Sequence, residues 1–143
     1  MADLEDPTET DLPFDQPEQD VPVDEDRDQV LARARSAGVE RIVVPGTDVD
    51  TSRAALDLAA SQEGVFAAAG VHPHAAEGFD DSAREDIEAM CRRPDCVAVG
   101  ESGLDWFRNY SPRQDQLDCF HWHLDLARRL DKPLIIHCRA AFE

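Results

Sequence analysis

Cys96-Val97-Ala98-Val99-Gly100-Glu101-Ser102-Gly103-Leu104-Asp105 and Pro133-Leu134-Ile135-Ile136-His137-Cys138-Arg139 are the two stretches that decide the fold. In each, a short apolar run stops on a residue able to bind a metal, Glu101 in the first and His137 in the second. An amphipathic segment, residues 112–130, separates them and carries Leu117, Phe120, His121, Leu124, Ala127 and Leu130 on one helical stripe. Strand, helix, strand, with functional groups where the strands end, is how a parallel α/β barrel builds a site.

The same alternation extends upstream. From Asp24, a helix is expected from Val30, Leu31, Ala34 and Ala37, with acids leading it and Gly38 closing it. Residues 40–46 read as a buried strand. Thr51 or Ser52 can cap a second helix carrying Ala55, Leu56, Leu58 and Ala59, with Gly64 as its stop. Residues 65–71 form the next apolar run and lead into His72-Pro73-His74. A third helix is expected over residues 82–92, and Ser111 and Pro112 suit the N-cap and first position of the fourth. The strands are continuously apolar rather than alternating, which predicts burial on both faces in a parallel sheet covered by helices. The expected sheet uses residues 41–45, 65–71, 96–100 and 133–137. Its outer strands, 41–45 and 133–137, would leave open ladders prone to self-association.

The charge is unevenly spread. Of the net −17 over 143 residues, residues 1–28 carry −11, from twelve acids and Arg27. That stretch also holds Pro7, Pro13, Pro17 and Pro22 and few large apolar residues, so residues 1–23 read as a disordered acidic tail and 24–143 as the folded domain. No apolar run approaches the ~18 residues of a membrane span, and the acidic start is not a secretory signal, so a cytoplasmic protein without membrane contact is expected. Cys91, Cys96, Cys119 and Cys138 make no CxxC pair and read as reduced, mostly packed thiols. Nothing in the overall balance suggests a polyanion-binding surface. A nuclease of this composition needs local basic groups or a metal to meet phosphate, and Lys132 is the only lysine.

Position alone leaves the candidate residues open. Glu101 follows a glycine at a strand end, where a buried carboxylate needs a cation or donors, but it could equally be a solvated loop acid. His137 could be a core histidine satisfied by backbone. Their equivalent places on successive strands, with His72 and His74 beyond a third strand end, favour a shared site on one rim. Arg139 could meet a phosphate or cover a helix end, and Asp105 and Arg108 could simply shape the loop. His121 and His123 read as packing or surface residues of their helix. No GxSxG, Walker loop or dinucleotide fingerprint is present.

These stretches, together with Val43-Val44-Pro45-Gly46-Thr47, Ala69-Gly70-Val71-His72-Pro73-His74 and the Arg113-Gln114 helix start, resemble the TatD-type metal-dependent hydrolases, or TatD DNases. The resemblance covers about residues 24–143 and implies an α/β TIM barrel of the (β/α)8 type. Since such barrels take about 250 residues, the chain is expected to form an incomplete one, with about four parallel strands and outer helices. It further implies a divalent ion (Mg, Mn or Zn) that activates water against phosphoester bonds in DNA or another ester. By that resemblance Glu101 and His137 look like metal ligands and catalytic residues, Glu101 bridging two ions, while His72, His74 and Arg139 look substrate-binding. The family opens on a strand ending in His-x-His, whereas no histidine precedes His72 here. Its later ligands would fall past Glu143. With Glu101 and His137 as the ligands found, this polypeptide alone is expected to show little nuclease activity. The alternatives are a non-catalytic half-barrel remnant or association module, and a related hydrolase of another ester.

Overall fold

The structure, a computed structural model, describes residues 23–142. The described residues fall into two units, one ending at Val39 and the other beginning at Glu40. The described part of the first is helix α1 (Val23–Ser36), whose end is closed by the Ala37 and Val39 amides on the Arg33 and Ala34 carbonyls. Apart from Val23, which opens this helix, the expected acidic tail lies outside the described residues.

The second unit runs β1 (Ile42–Pro45), α2 (Val49–Ser61), β2 (Val65–Ala69), a 3₁₀ segment (Pro73–Gly78), α3 (Asp81–Cys91), β3 (Cys96–Asp105), α4 (Arg113–Leu130) and β4 (Leu134–Arg139). The strands form one sheet in the order β1-β2-β3-β4, every neighbouring pair parallel. This is the expected partial barrel. Helix residues Leu56, Ile87 and Leu126 are fully buried and join Ala67, Ala69, Val99, Cys91, Cys96 and Cys119 in a single core cluster.

Burial on both faces holds for β2, whose Ala67, Ala68 and Ala69 have no exposed surface, but not for the outer strands. Val43 of β1 and Ile136 of β4 are exposed, while Val44 and Leu134 pack against the core. Among the described residues each outer strand has a ladder partner on one side and helices on one face, so alternate side chains meet solvent.

Two strand ends differ from expectation. β2 stops at Ala69, because the Gly70 amide donates to the buried Ser52 hydroxyl (3.1 Å) instead of continuing a ladder. β3 continues through Glu101 to Asp105. The Glu101 amide reaches across to the Gly46 carbonyl (2.9 Å), the register with β4 shifts between Val99 and Ser102, and pairing then resumes as far as Asp105↔Arg139. The strand ends come unusually close there: a Cβ on Gly70 would lie 2.5 Å from the Gly100 Cα. Gly103 has φ +154°, and a Cβ there would run into the His137 carbonyl.

Helix starts also differ. Asp48, not Thr51 or Ser52, caps α2, in a capping box with Thr51, which leaves Ser52 free to point into the core. Ser111 does not cap α4. Its hydroxyl donates to the His74 carbonyl (3.1 Å) and accepts the Glu77 amide (3.0 Å), so it is spent on the 3₁₀ segment, and Pro112 is the N-cap. Cys91, Cys96 and Cys119 are buried free thiols and Cys138 is exposed. Beside two of them the Lys132 ammonium donates to the carbonyls of Cys91 (2.5 Å), Arg93 (3.0 Å) and Cys96 (2.6 Å), closing the corner between α3 and β3.

Candidate metal and substrate site

Five groups converge beyond the end of β2. The chain leaves β2 through Gly70 and Val71, and the His72 amide is tied to the Thr47 carbonyl (2.8 Å), which sets His72 and His74 above the sheet. β3 supplies Glu101 and Asp105, and β4 supplies His137. His72 Nε2 lies 3.1 Å from His137 Nδ1, and Glu101 Oε1 lies 3.3 Å from the same Nδ1. The ligand-type atoms of His72, Glu101 and His137 all fall within 4.8 Å of one another.

Asp105 organises the histidines. Its carboxylate is 1% exposed, and one oxygen, Oδ2, lies 3.0 Å from both His74 Nε2 and His137 Nε2. The other, Oδ1, accepts the Arg108 amide (2.7 Å). Burial pushes this carboxyl up, but the Arg108 amide and the two imidazoles outweigh it and hold it at about 2. Its backbone is fixed from α4: the Asp105 amide donates to Gln116 Oε1 (2.9 Å), and Gln116 Nε2 donates to the Ser111 carbonyl (2.9 Å). Gln116 is fully buried.

Carboxylates flank both nitrogens of His137, Asp105 Oδ2 at Nε2 (3.0 Å) and Glu101 Oε1 at Nδ1 (3.3 Å); with the proton on Nε2, at the nearer carboxylate, the Nδ1 lone pair faces Glu101 and His72. His72 Nδ1 accepts the His74 amide (3.1 Å), which puts the His72 proton on Nε2. Burial, followed by the charges of His137 and His74, lowers its pKa to about 4, so the ring is neutral at pH 7. Glu101 and His137 therefore present lone pairs suited to an ion. His72 presents an N–H to the same space.

Arg139 lies two residues beyond His137 on β4, with its guanidinium over the Phe107 ring at 4.0 Å. His123 is a buried packing residue, accepting the Val71 amide at Nε2 (3.0 Å), while His121 is exposed. Asp105 and Gln116 are the groups whose part sequence reasoning missed. Asp105 was within reach: extending β3 by two residue pairs puts Glu101, Gly103 and Asp105 on one strand face. Gln116 gives no such signal, because an amide on an amphipathic helix reads as surface.

A model of the family described as TatD related DNase matches residues 18–143. A 3'-5' ssDNA/RNA exonuclease TatD of Klebsiella pneumoniae is 41% identical over 118 residues, covering 82% of this chain and 45% of that protein. One from Edwardsiella piscicida is 44% identical over 114 residues, covering 79% and 44%. The chain thus spans about half the length of the curated relatives it matches. Among solved structures, YJJV, a TatD homologue from Escherichia coli K12, superposes with a TM-score of 0.76 at 36% identity, covering 89% of this chain and 48% of that one. An uncharacterized amidohydrolase from Saccharomyces cerevisiae shares the fold, with a TM-score of 0.68 at 23% identity.

Proposed function

The chain belongs to the TatD related DNase family, and from that membership we propose that it forms part of a metal-dependent hydrolase acting on the phosphoester bonds of nucleic acid. The observation that carries this reading is the pair of lone-pair donors, Glu101 Oε1 and His137 Nδ1, 3.3 Å apart on adjacent strands, with Asp105 holding the far side of the imidazole. That donor set fits a divalent ion, and a carboxylate behind a ligating histidine is the usual way such a ring is oriented. When bound, the ion supplies positive charge against phosphate oxygens and lowers the pKa of water.

The residues divide the remaining work. Glu101 and His137 hold the ion. With the His137 lone pair so engaged, the His72 Nε2–H is released to donate to a substrate oxygen. His74, kept in place by Asp105, and Arg139 take further phosphate contacts. Residues 24–143 are read as the partial barrel domain, in keeping with the family match over 18–143. Self-association belongs to the same proposal, supported by the exposed Val43 and Ile136 on strands that, among the described residues, have a ladder partner on one side. So does a cytoplasmic location, supported by three buried unpaired thiols that suit a reducing compartment. Among the described residues no helix is long and apolar enough to cross a membrane.

Two protein ligands leave coordination positions for water and phosphate, as in sites where substrate completes the shell of the ion. Calorimetry should therefore show Mn²⁺ or Zn²⁺ bound at least ~10-fold more tightly when a single-stranded oligonucleotide is present, with both effects lost in Glu101→Ala. The 143-residue chain itself should cleave little faster than that variant, because catalytic zinc sites use about three protein ligands. Failure to bind metal, or binding indifferent to Glu101, would overturn the reading in favour of a non-catalytic remnant. Cleavage well above the control would instead show that donors beyond Glu101 and His137 complete the site.

A further inference from the structure

Two of the buried thiols lie together, outside the metal site. Cys91 ends α3 and Cys96 begins β3, with the turn of residues 92–95 between them. Neither cysteine has exposed surface, whereas Arg92, Arg93 and Pro94 of that turn are all exposed. The surroundings are polar for a core. The Cys91 S–H has two acceptors within reach, the Ala69 carbonyl (3.3 Å) and the Cys96 sulfur. Cys96 Sγ lies 3.3 Å from the Ala98 carbonyl. It also meets the backbone amide of Ala69, so the two thiols bracket that residue's peptide groups. The Lys132 ammonium, held on the carbonyls of both cysteines, adds a positive charge beside the pair.

The two sulfurs are not equivalent. The Cys91 S–H, followed by the Lys132 charge and the Ala69 and Ala98 amides, pulls the Cys96 thiol down against its burial. The same thiol–thiol contact, together with burial, pushes Cys91 up. Cys119 is the contrast within the same core: burial pushes it up to about 12. A sulfur favoured as thiolate, with a protonated thiol against it, is the arrangement in which one sulfur attacks an oxidant and the other resolves the product.

We propose that Cys91 and Cys96 form a redox site, a dithiol that hydrogen peroxide converts into an intramolecular disulfide across the turn of residues 92–95. The Cys96 thiolate attacks one peroxide oxygen and the O–O bond breaks. The second oxygen leaves as hydroxide and takes a proton to become water, so Cys96 carries a sulfenic acid. The Cys91 sulfur then attacks the Cys96 sulfur. The S–S bond forms, the S–O bond breaks, and the sulfenic hydroxyl departs with the Cys91 proton as a second water. The two thiols lose two electrons and the peroxide gains them. A thiol reductant reverses the change by exchange.

The test is peroxide treatment of the folded full chain, then alkylation of the remaining thiols and tryptic digestion. Trypsin cuts after Arg92, so a disulfide is what keeps the two cysteine peptides together. Mass spectrometry should find Cys91 linked to Cys96, at least ~10-fold faster than Cys119 oxidises, and the link should be released by dithiothreitol. Cys91→Ser should stop the reaction at a sulfenic acid on Cys96, trapped by dimedone. Cys96→Ser should leave Cys91 as slow as Cys119. Circular dichroism establishes that the variants are folded; should either not fold, the wild-type linkage and its rate decide alone. Oxidation of Cys96 no faster than that of Cys119, a disulfide that forms only in urea, or linkage to Cys138 in its place would overturn the proposal.

Discussion

Gly103→Ala should unfold the unit containing the sheet, or bring it close to unfolding. The new methyl has nowhere to go: at φ +154° its Cβ would occupy the place of the His137 carbonyl on the neighbouring strand. Neither partner can rotate aside, because both are backbone and both belong to the resumed β3–β4 ladder, Gly103↔His137. Relief requires separating the strands, which exposes the ladder and displaces His137 from Glu101 and Asp105. A loss of about 4 kcal/mol or more is expected, a large share of the 5–15 kcal/mol by which ordinary domains are stable. Gly78→Ala is the matched control, since a Cβ there meets nothing within 4 Å and its φ is unexceptional. Urea unfolding followed by circular dichroism should show the first variant collapsed and the second near wild type. A Gly103→Ala protein within ~1 kcal/mol of wild type would mean that the close β3–β4 approach is not as described.

Gln116→Leu should be nearly as costly and should act on the site from the outside. Leucine matches the size of glutamine, so little cavity or overpacking results. What is lost is the acceptor for the Asp105 amide and the donor to the Ser111 carbonyl, both in a fully buried setting. Leaving buried amide and carbonyl groups unpaired costs roughly 1–3 kcal/mol each, so about 3 kcal/mol is expected. Gln116→Glu separates the contributions, since its carboxylate keeps an acceptor for Asp105 but gives Ser111 no donor. A functional readout accompanies the stability: with Asp105 loosened, the imidazole resonances of His74 and His137 should shift and Zn²⁺ affinity should fall by ~10-fold or more. Unchanged resonances and affinity in a destabilised Gln116→Leu protein would show that Asp105 is positioned without α4.

The parallel sheet was legible in the sequence because each of its strands is a short apolar run bounded by glycine or proline, and each helix carries a stripe. Its limits were not. Residues 100–105 look like a loop, with two glycines, a serine and two acids, yet β3 runs through them because β4 offers backbone partners that no local pattern reveals. Caps were misassigned for a related reason. Ser52 and Ser111 have the right chemistry to cap a helix, but each hydroxyl has a tertiary partner distant in sequence, Gly70 in one case and the 3₁₀ segment in the other. Glu101, His72 and His137 could be placed near one another because strand ends gather on one rim. The hydrogen-bonding roles of their individual nitrogens depend on Asp105 and on the His74 amide, and spacing carries no information about those.

Lys132 carries the only side-chain amine in the chain, and three carbonyls surround it. An amine attacks an acylating reagent through its lone pair, which Lys132 gains only after its ammonium lets go of the Cys91, Arg93 and Cys96 carbonyls and gives up a proton to solvent. The rate at which a small anhydride modifies Lys132 under native conditions therefore clocks the breathing of the corner between α3 and β3. One chemical label, read by mass spectrometry after digestion, reports how often the core beneath that corner opens.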